Sequence, residues 1–263
     1  MKTSAPGTGT RGRVASAGAR QVTWAEPGLL QIRQRARVEG EEPGADATGP
    51  YWVFGLVRLR RGRLHYLHGG ERVAPPGRSF AVFMPPWSVV RLAPSRFIAS
   101  TAAVASCAPF FDGAPSRAVA WRWRGGETPG TIRDIARAVQ QGGPFVEISR
   151  EVEPSPAARR AKAILDDSYC RPVTLARLVA RAGLTASVAS RAFKRAYGMP
   201  LVEYRHRVRV MDAMFRLAAG GEILAVLEDV GFGDASRLYR HFRSLLCETP
   251  GSYAARRSRN AKT

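Results

Sequence analysis

The sequence predicts an α+β, multidomain chain: a small antiparallel β-barrel or sandwich followed by an all-α domain holding two helix-turn-helix units. Three observations predict it. Short β-like runs broken by Gly and Pro occupy residues 22–123. From Ala157 onward the apolar residues recur at helical spacing. Within residues 174–253, two stretches repeat each other: LVARAGLTASVASRAFKR (Leu178–Arg195) and VLEDVGFGDASRLYRHFRS (Val226–Ser244). Their glycines, Gly183 and Gly231, lie 48 residues apart, and their Arg-x-Phe-basic endings at Arg191 and Arg240 lie 49 apart. One extra residue in the second turn accounts for the slip. Each copy reads as a short helix, a glycine-containing turn and a second helix.

The totals bound the rest. The 263 residues suffice for two cores. No apolar run approaches the ~20 residues that span a bilayer, and no apolar stretch follows the basic N-terminus, so neither a membrane span nor a secretory signal is expected. The net charge is +20, which favours nucleic acid or another anionic partner. Residues from Pro156 onward carry net +11 and the rest +9, so both halves are basic. Cys107, Cys170 and Cys247 are scattered, without the pairing of a zinc site or a disulfide framework. A reducing cytoplasm is the expected location.

Residues 1–20 read as a disordered basic tail and 21–141 as the β-rich domain. Its strand candidates include Tyr51–Val57, Leu64–Leu67, Phe80–Met84 and Val89–Leu92, separated by Gly69-Gly70, Pro75-Pro76-Gly77 and Pro85-Pro86. Glu39–Pro50 reads as a mobile loop. The run from Gly62 to Val90 resembles a cupin hairpin series in its pattern of strands and turns. His65 and His68 stand three apart and so face opposite sides of a strand, and no later His follows in this domain. No metal or other cofactor is expected. The many aromatics are read chiefly as core, and Cys107, in an apolar stretch, as an inert buried thiol. Ile132, Ile135, Ala136 and Val139 put an apolar stripe on a helix over Thr131–Gln140, which could pack on the barrel or on its counterpart in a second subunit. Residues 142–156, with Pro144, Pro154 and Pro156, read as a linker.

Residues 157–257 form the helical domain, and 258–263 a basic tail. Thr174, Thr185 and Asp234 can each cap a helix N-terminus. On the second helix of the first unit, Ala189, Phe193, Ala196 and Tyr197 share one side. Ser187, Arg191, Lys194 and Arg195 share the other, with Ser190 at the edge. In the second unit, Leu238, Phe242, Leu245 and Leu246 face the core. Ser236, Arg237, Arg240, Arg243 and Ser244 face outward, with Tyr239 at the border. Small hydroxyls and arginines on an exposed helix suit a major groove, where Arg reads guanine bidentately and Ser bonds bases or phosphates. Between the units, Tyr204, Val208, Met211, Phe215 and Ala218 recur in steps of four and three. They mark a connecting helix of roughly 28 Å, against ~34 Å between successive major grooves.

The span from Ala157 to Arg257 resembles the DNA-binding domain of the AraC/XylS transcription regulators. The later unit carries most of the signature: Ile223, Val226, Gly231-Phe232, Asp234, Ser236, Leu238, Arg240, Phe242, Thr249-Pro250 and Tyr253. The earlier adds Leu178, Gly183-Leu184, Arg191, Phe193-Lys194, Gly198 and Arg209. The resemblance implies seven helices with a central connector. By position, it implies DNA-facing roles for Ser187, Ser190 and Arg191, and for Ala235, Ser236, Arg237, Tyr239 and Arg240. It departs from the family where Val179 and Leu227 replace the usual Ala, Cys247 a usual Gly, and Ala254 the usual Arg after Tyr253.

The expected function is bacterial, sequence-specific transcription regulation through two helix-turn-helix units in adjacent grooves. DNA contacts are expected from Ser187, Ser190, Arg191, Lys194, Ala235, Ser236, Arg237, Tyr239, Arg240 and Arg243. The partners are promoter DNA and, as possibilities, a small-molecule effector, RNA polymerase and a second copy of the chain. The chain is not expected to be an enzyme. The alternative is a cupin-type enzyme domain fused to an autoregulatory DNA-binding domain.

Overall fold

The computed structural model describes residues 13–16, 21–26, 29–40, 44–93, 95–125, 129, 131–149, 154–246 and 248–260. Its first half is built of strands and its second of helices.

One antiparallel sheet has eight strands: β1 (Arg13–Ser16), β2 (Gln21–Glu26), β3 (Leu29–Gly40), β5 (Trp52–Arg63), β8 (Ser79–Met84), β10 (Ser95–Ser106), β11 (Val119–Arg122) and β12 (Val146–Glu147). Their order is β1-β3-β10-β5-β8-β11-β12, with β2 also on β3. A second sheet orders β4 (Gly44–Ala47), β9 (Val89–Leu92), β6 (Tyr66–His68) and β7 (Glu71–Val73). Gly69 and Gly70, both at positive φ, turn β6 into β7, as a tight hairpin requires.

The expected closed barrel is not found among the described residues. Both sheets are open in strand order. The physical reason lies in what covers the large sheet. One face carries Phe54, Leu56, Phe83 and Val104 and packs against Trp121 and α1 (Ile132–Gln140). The other face meets the second sheet at Tyr66 and Val90 and the helical half of the chain at Val210 and Met214, so the sheet buries both sides without curling on itself. The stripe on α1 is used within the chain: Ile135 and Val139 are fully or nearly buried against the sheet.

Three segment readings change. Of the residues read as an N-terminal tail, Arg13–Ser16 form β1 against β3, and the others lie outside the described residues. Within the segment read as a mobile loop, Gly44–Ala47 form β4, and Ala45 and Ala47 are buried in the core of the first helical unit. Within the segment read as a linker, Val146 and Glu147 pair with β11, and Ile148 is fully buried. Cys107 is exposed, not buried as read, with its thiol pushed up by desolvation and by the nearby Asp212.

Seven helices follow: α2 (Pro156–Ser168), α3 (Leu175–Arg181), α4 (Ala186–Tyr197), α5 (Leu201–Ala219), α6 (Ile223–Asp229), α7 (Ala235–Leu246) and α8 (Pro250–Asn260). Thr174 and Thr185 accept hydrogen bonds from the Arg177 and Val188 amides, and Asp234 from that of Arg237. These are the caps read from the sequence, each satisfying an otherwise orphaned N–H. α8 runs into the segment read as a basic tail, of which residues 261–263 lie outside the described residues.

Candidate nucleic-acid interface

The two copies of the repeat are α3-turn-α4 and α6-turn-α7. Residues 182–185 form the first turn and 230–234 the second, which places the extra residue where the repeat requires it. In the second turn Gly231 has φ +76, and a Cβ there would overlap the Cys170 carbonyl oxygen. Only glycine lets this turn sit against the end of α2. Val179 and Leu227, where the resemblance implies the smaller Ala, are both buried. Val179 shares its cluster with Ala189, which has no side chain beyond Cβ to clash with it.

The inner faces of the second helices are buried as the spacing predicts. Ala189, Phe193, Ala196 and Tyr197 of α4 pack with α2, and Leu238, Phe242 and Leu246 of α7 with α5 and α8. Ser187, Ser190, Arg191 and Lys194 are exposed together on α4. Ala235, Ser236, Arg237, Tyr239, Arg240 and Arg243 are exposed together on α7. Arg237 is not a bare cation, because its Nε lies 3.0 Å from Oδ2 of the capping Asp234. Arg191, Lys194, Arg240 and Arg243 make no ion pair among the described residues. Cys247 lies outside the described residues.

The connector α5 holds these two surfaces, and its apolar stripe is buried as predicted at Tyr204, Val208, Phe215 and Ala218. Beside it runs a polar stripe, Arg205, Arg209, Asp212 and Arg216, at steps of four, three and four. Arg205 and Arg209 are 5% and 6% exposed, yet neither faces a carboxylate. Arg205 donates to the backbone carbonyls of Tyr169, Arg171 and Val173, and Arg209 to those of Tyr169 and Arg171. The segment joining α2 to α3 is thereby tied to the connector. Burial pulls the Arg209 guanidinium down to about 10, with repulsion from Arg205 adding to it. Its guanidinium also sits 5.5 Å from the Phe232 ring centroid, joining the connector to the second turn.

Asp212 is the junction of this stripe. It is 4% exposed and accepts from Tyr51 Oη at 2.8 Å, Tyr169 Oη at 2.9 Å and Arg216 Nε at 3.0 Å. Arg216 Nη1 continues to Asp229 at the end of α6, at 2.7 Å. The Tyr51 ring stacks on Phe215 with centroids 3.7 Å apart. One carboxylate thus connects the start of β5, the end of α2 and the second unit. Sequence reading singled out none of these roles, although the four-three-four spacing of charges on one helix was a usable signal.

His206 of α5 lies against His241 of α7, ring centroids 3.8 Å apart, with Phe232 alongside. Desolvation first, then His241 and nearby Arg209, Arg205 and Arg237, push the His206 imidazole down to about 4. Its unfolded value is near 6.5. The unfolded chain therefore binds more protons between these values, and stability falls as pH drops through that window. The expected loss is about 1–2 kcal/mol by pH 5. Urea titrations of the full chain and of His206→Gln at pH 7 and pH 5 check this. The variant should show a smaller pH-dependent loss.

Two repeated second helices, both with buried inner faces and cation-bearing outer ones, define a double helix-turn-helix domain. Residues 178–256 match the helix-turn-helix domain family. The matched stretch, 178–256, lies within the span whose residues resemble the AraC/XylS DNA-binding domain. The chain is 27% identical over 89 residues to the transcriptional regulatory protein HptR of Staphylococcus aureus, covering 34% of this chain and 35% of that protein. It is 28% identical over 85 residues to an uncharacterized response regulatory protein of Staphylococcus epidermidis, covering 32% and 34%. The chain spans about a third of the length of the curated relatives it matches. Among solved structures, the C-terminal domain of AraT, a response regulator from Geobacillus stearothermophilus, matches with TM-score 0.37 and 20% identity over 39% of this chain and 87% of that one. ToxT from Vibrio cholerae matches with TM-score 0.44 and 10% identity over 86% and 98%. No helix among the described residues is long and apolar enough to cross a membrane.

Proposed function

We propose that the protein is a sequence-specific, DNA-binding transcription regulator that places α4 and α7 in adjacent major grooves of one duplex. The observation that carries this reading is the pair of exposed, cation-bearing faces of α4 and α7, two helices both packed on a braced 19-residue connector. At about 1.5 Å per residue the connector is roughly 28 Å long, which suits grooves ~34 Å apart. Arg191, Lys194, Arg237, Arg240 and Arg243 supply phosphate and base-edge contacts. Ser187, Ser190, Ser236 and Tyr239 add shorter-range polar ones, and Ala235 packs against the base edges. Residues 157–257 act as the DNA-binding domain. Residues 21–141 act as a sensing or dimerising module, through which a small-molecule effector or a second copy of the chain modulates binding. RNA polymerase is the partner expected at the promoter, and the cytoplasm is the expected setting.

Genome-wide footprinting with the purified chain should yield short bipartite sites, with two protected half-sites about one helical turn apart. Protection without sequence preference would overturn the reading. On such a site, Arg191→Ala and Arg240→Ala should each weaken binding by about 1–3 kcal/mol, if the lost contact is a bidentate base pair. Gel-shift titrations at fixed salt check this. If neither variant binds more weakly, these two arginines are misassigned.

A further inference from the structure

The large sheet and the connector do not meet flush. Between them lies a cavity of about 300 Å³, walled by β5, β8 and β10 of the large sheet, by β4, β6 and β9 of the second sheet, and by α5 and the end of α7. Strand register explains the void. Gly55 of β5 is paired with Ala103 of β10 and with Val82 of β8, so on these three strands the row holds no side chain larger than valine. Facing it are Met211 and Met214 of α5, which leave the gap unfilled. Apolar voids of this kind hold apolar molecules in preference to water, and about 300 Å³ is the low end of small-molecule sites.

The charged lining residues are Asp46 and Arg207, and they limit what can enter. Arg207 is already engaged: Nη2 lies 2.8 Å from Glu203 Oε1, and Nη1 lies 3.2 Å from Asp46 Oδ1. One cation between two carboxylates leaves a net negative end, which repels an anionic headgroup. The Asp46 side chain is 66% exposed, so that end meets solvent.

We propose that this cavity is a binding site for a small, uncharged, largely apolar molecule. The ligand touches the sheet with one side and, with the other, Met211 and Met214 of the connector and Leu245 and Leu246 of α7. It therefore acts on the element that spaces the two reading helices. That such a ligand serves as an effector rests on the regulator reading above, whereas its binding does not require DNA.

The test uses the full chain without DNA, the neutral fluorophore N-phenyl-1-naphthylamine and the anionic 8-anilino-1-naphthalenesulfonate. The neutral probe should saturate at one site per chain and bind at least tenfold tighter than the anionic one. It should also slow hydrogen exchange in the unmodified protein at residues 53–57 and 210–214. Ala103→Phe and, from the opposite wall, Met214→Trp should each weaken the neutral probe at least tenfold while keeping a cooperative melt. No protection at those residues, or unchanged probe affinity in a folded filling variant, overturns the site. Tighter binding of the anionic probe, lost on filling, overturns the assignment of an uncharged ligand. These failures leave the DNA reading standing, because footprinting tests that separately.

Discussion

Asp212→Ala is expected to cost about 2–4 kcal/mol of folding stability, chiefly from the phenols it leaves without an acceptor. The carboxylate is 4% exposed and accepts three hydrogen bonds. Desolvation and the Asp212 charge both push the Tyr51 and Tyr169 hydroxyls well above the ordinary phenol value, so both stay protonated donors. Alanine strands them with no acceptor, and each buried orphan costs about 1–3 kcal/mol. Arg216 is half-exposed and keeps Asp229, so its loss contributes little. Asp212→Asn should cost less than Ala, since the amide oxygen still accepts one phenol. Tyr51→Phe isolates the bond between the sheet and the connector, at about 1 kcal/mol. Urea denaturation of the three variants checks the order Ala, then Asn, then Tyr51→Phe. An Asp212→Ala cost under about 1 kcal/mol would show that the junction is ornamental.

The features legible in the sequence are local ones. A cap needs only a side-chain oxygen three residues before an orphaned amide, so Thr174, Thr185 and Asp234 could be read directly. The faces of α4, α5 and α7 follow from helical period, and the repeat fixed the pairing of Gly183 with Gly231. Strand order is different, because it depends on partners distant in sequence. β3 pairs with β10 more than fifty residues on, and nothing in the short runs of Gly62–Val90 shows that the sheet stays open. Even so, residues 29–40 alternate Leu30, Ile32, Ala36 and Val38 with Arg33, Arg35 and Arg37, a period-two signal strong enough to have marked β3. The exposed faces on α4 and α7 were readable, but the junction beneath them was not. Tyr51 and Asp212 are 161 residues apart, and only the docking of sheet on helix brings them together. The cavity was hidden for the same reason: Gly55, Ala103 and Val82 share a row only once the register is known.

Arg205→Ala is expected to destabilise the chain by about 3 kcal/mol or more, although Arg205 faces no acid. Its guanidinium donates to three backbone carbonyls, those of Tyr169, Arg171 and Val173, in the segment between α2 and α3. Hydrogen bonds from a charged donor contribute about 1.5–3 kcal/mol each, though not additively. Arg209 remains bonded to the Tyr169 and Arg171 carbonyls, so the Val173 carbonyl bears the sharpest loss. Burial already pulls the Arg205 pKa down, so its charge is held at a desolvation cost that only the carbonyls offset. Arg205→Lys should recover little of the loss, because a single ammonium cannot match the spread of a planar fork across three acceptors. The damage should be directional as well. Hydrogen exchange should speed up at residues 169–173 and along α3, while α7, held by Leu238 and Phe242 in a separate cluster, keeps its protection. If exchange speeds up equally in both units, the connector arginine is general core and not a brace for the first unit. If Arg205→Ala melts like the parent, the carbonyl cage contributes nothing, and the first unit must hold its place on apolar packing with α2 and with Tyr204 and Val208 of α5.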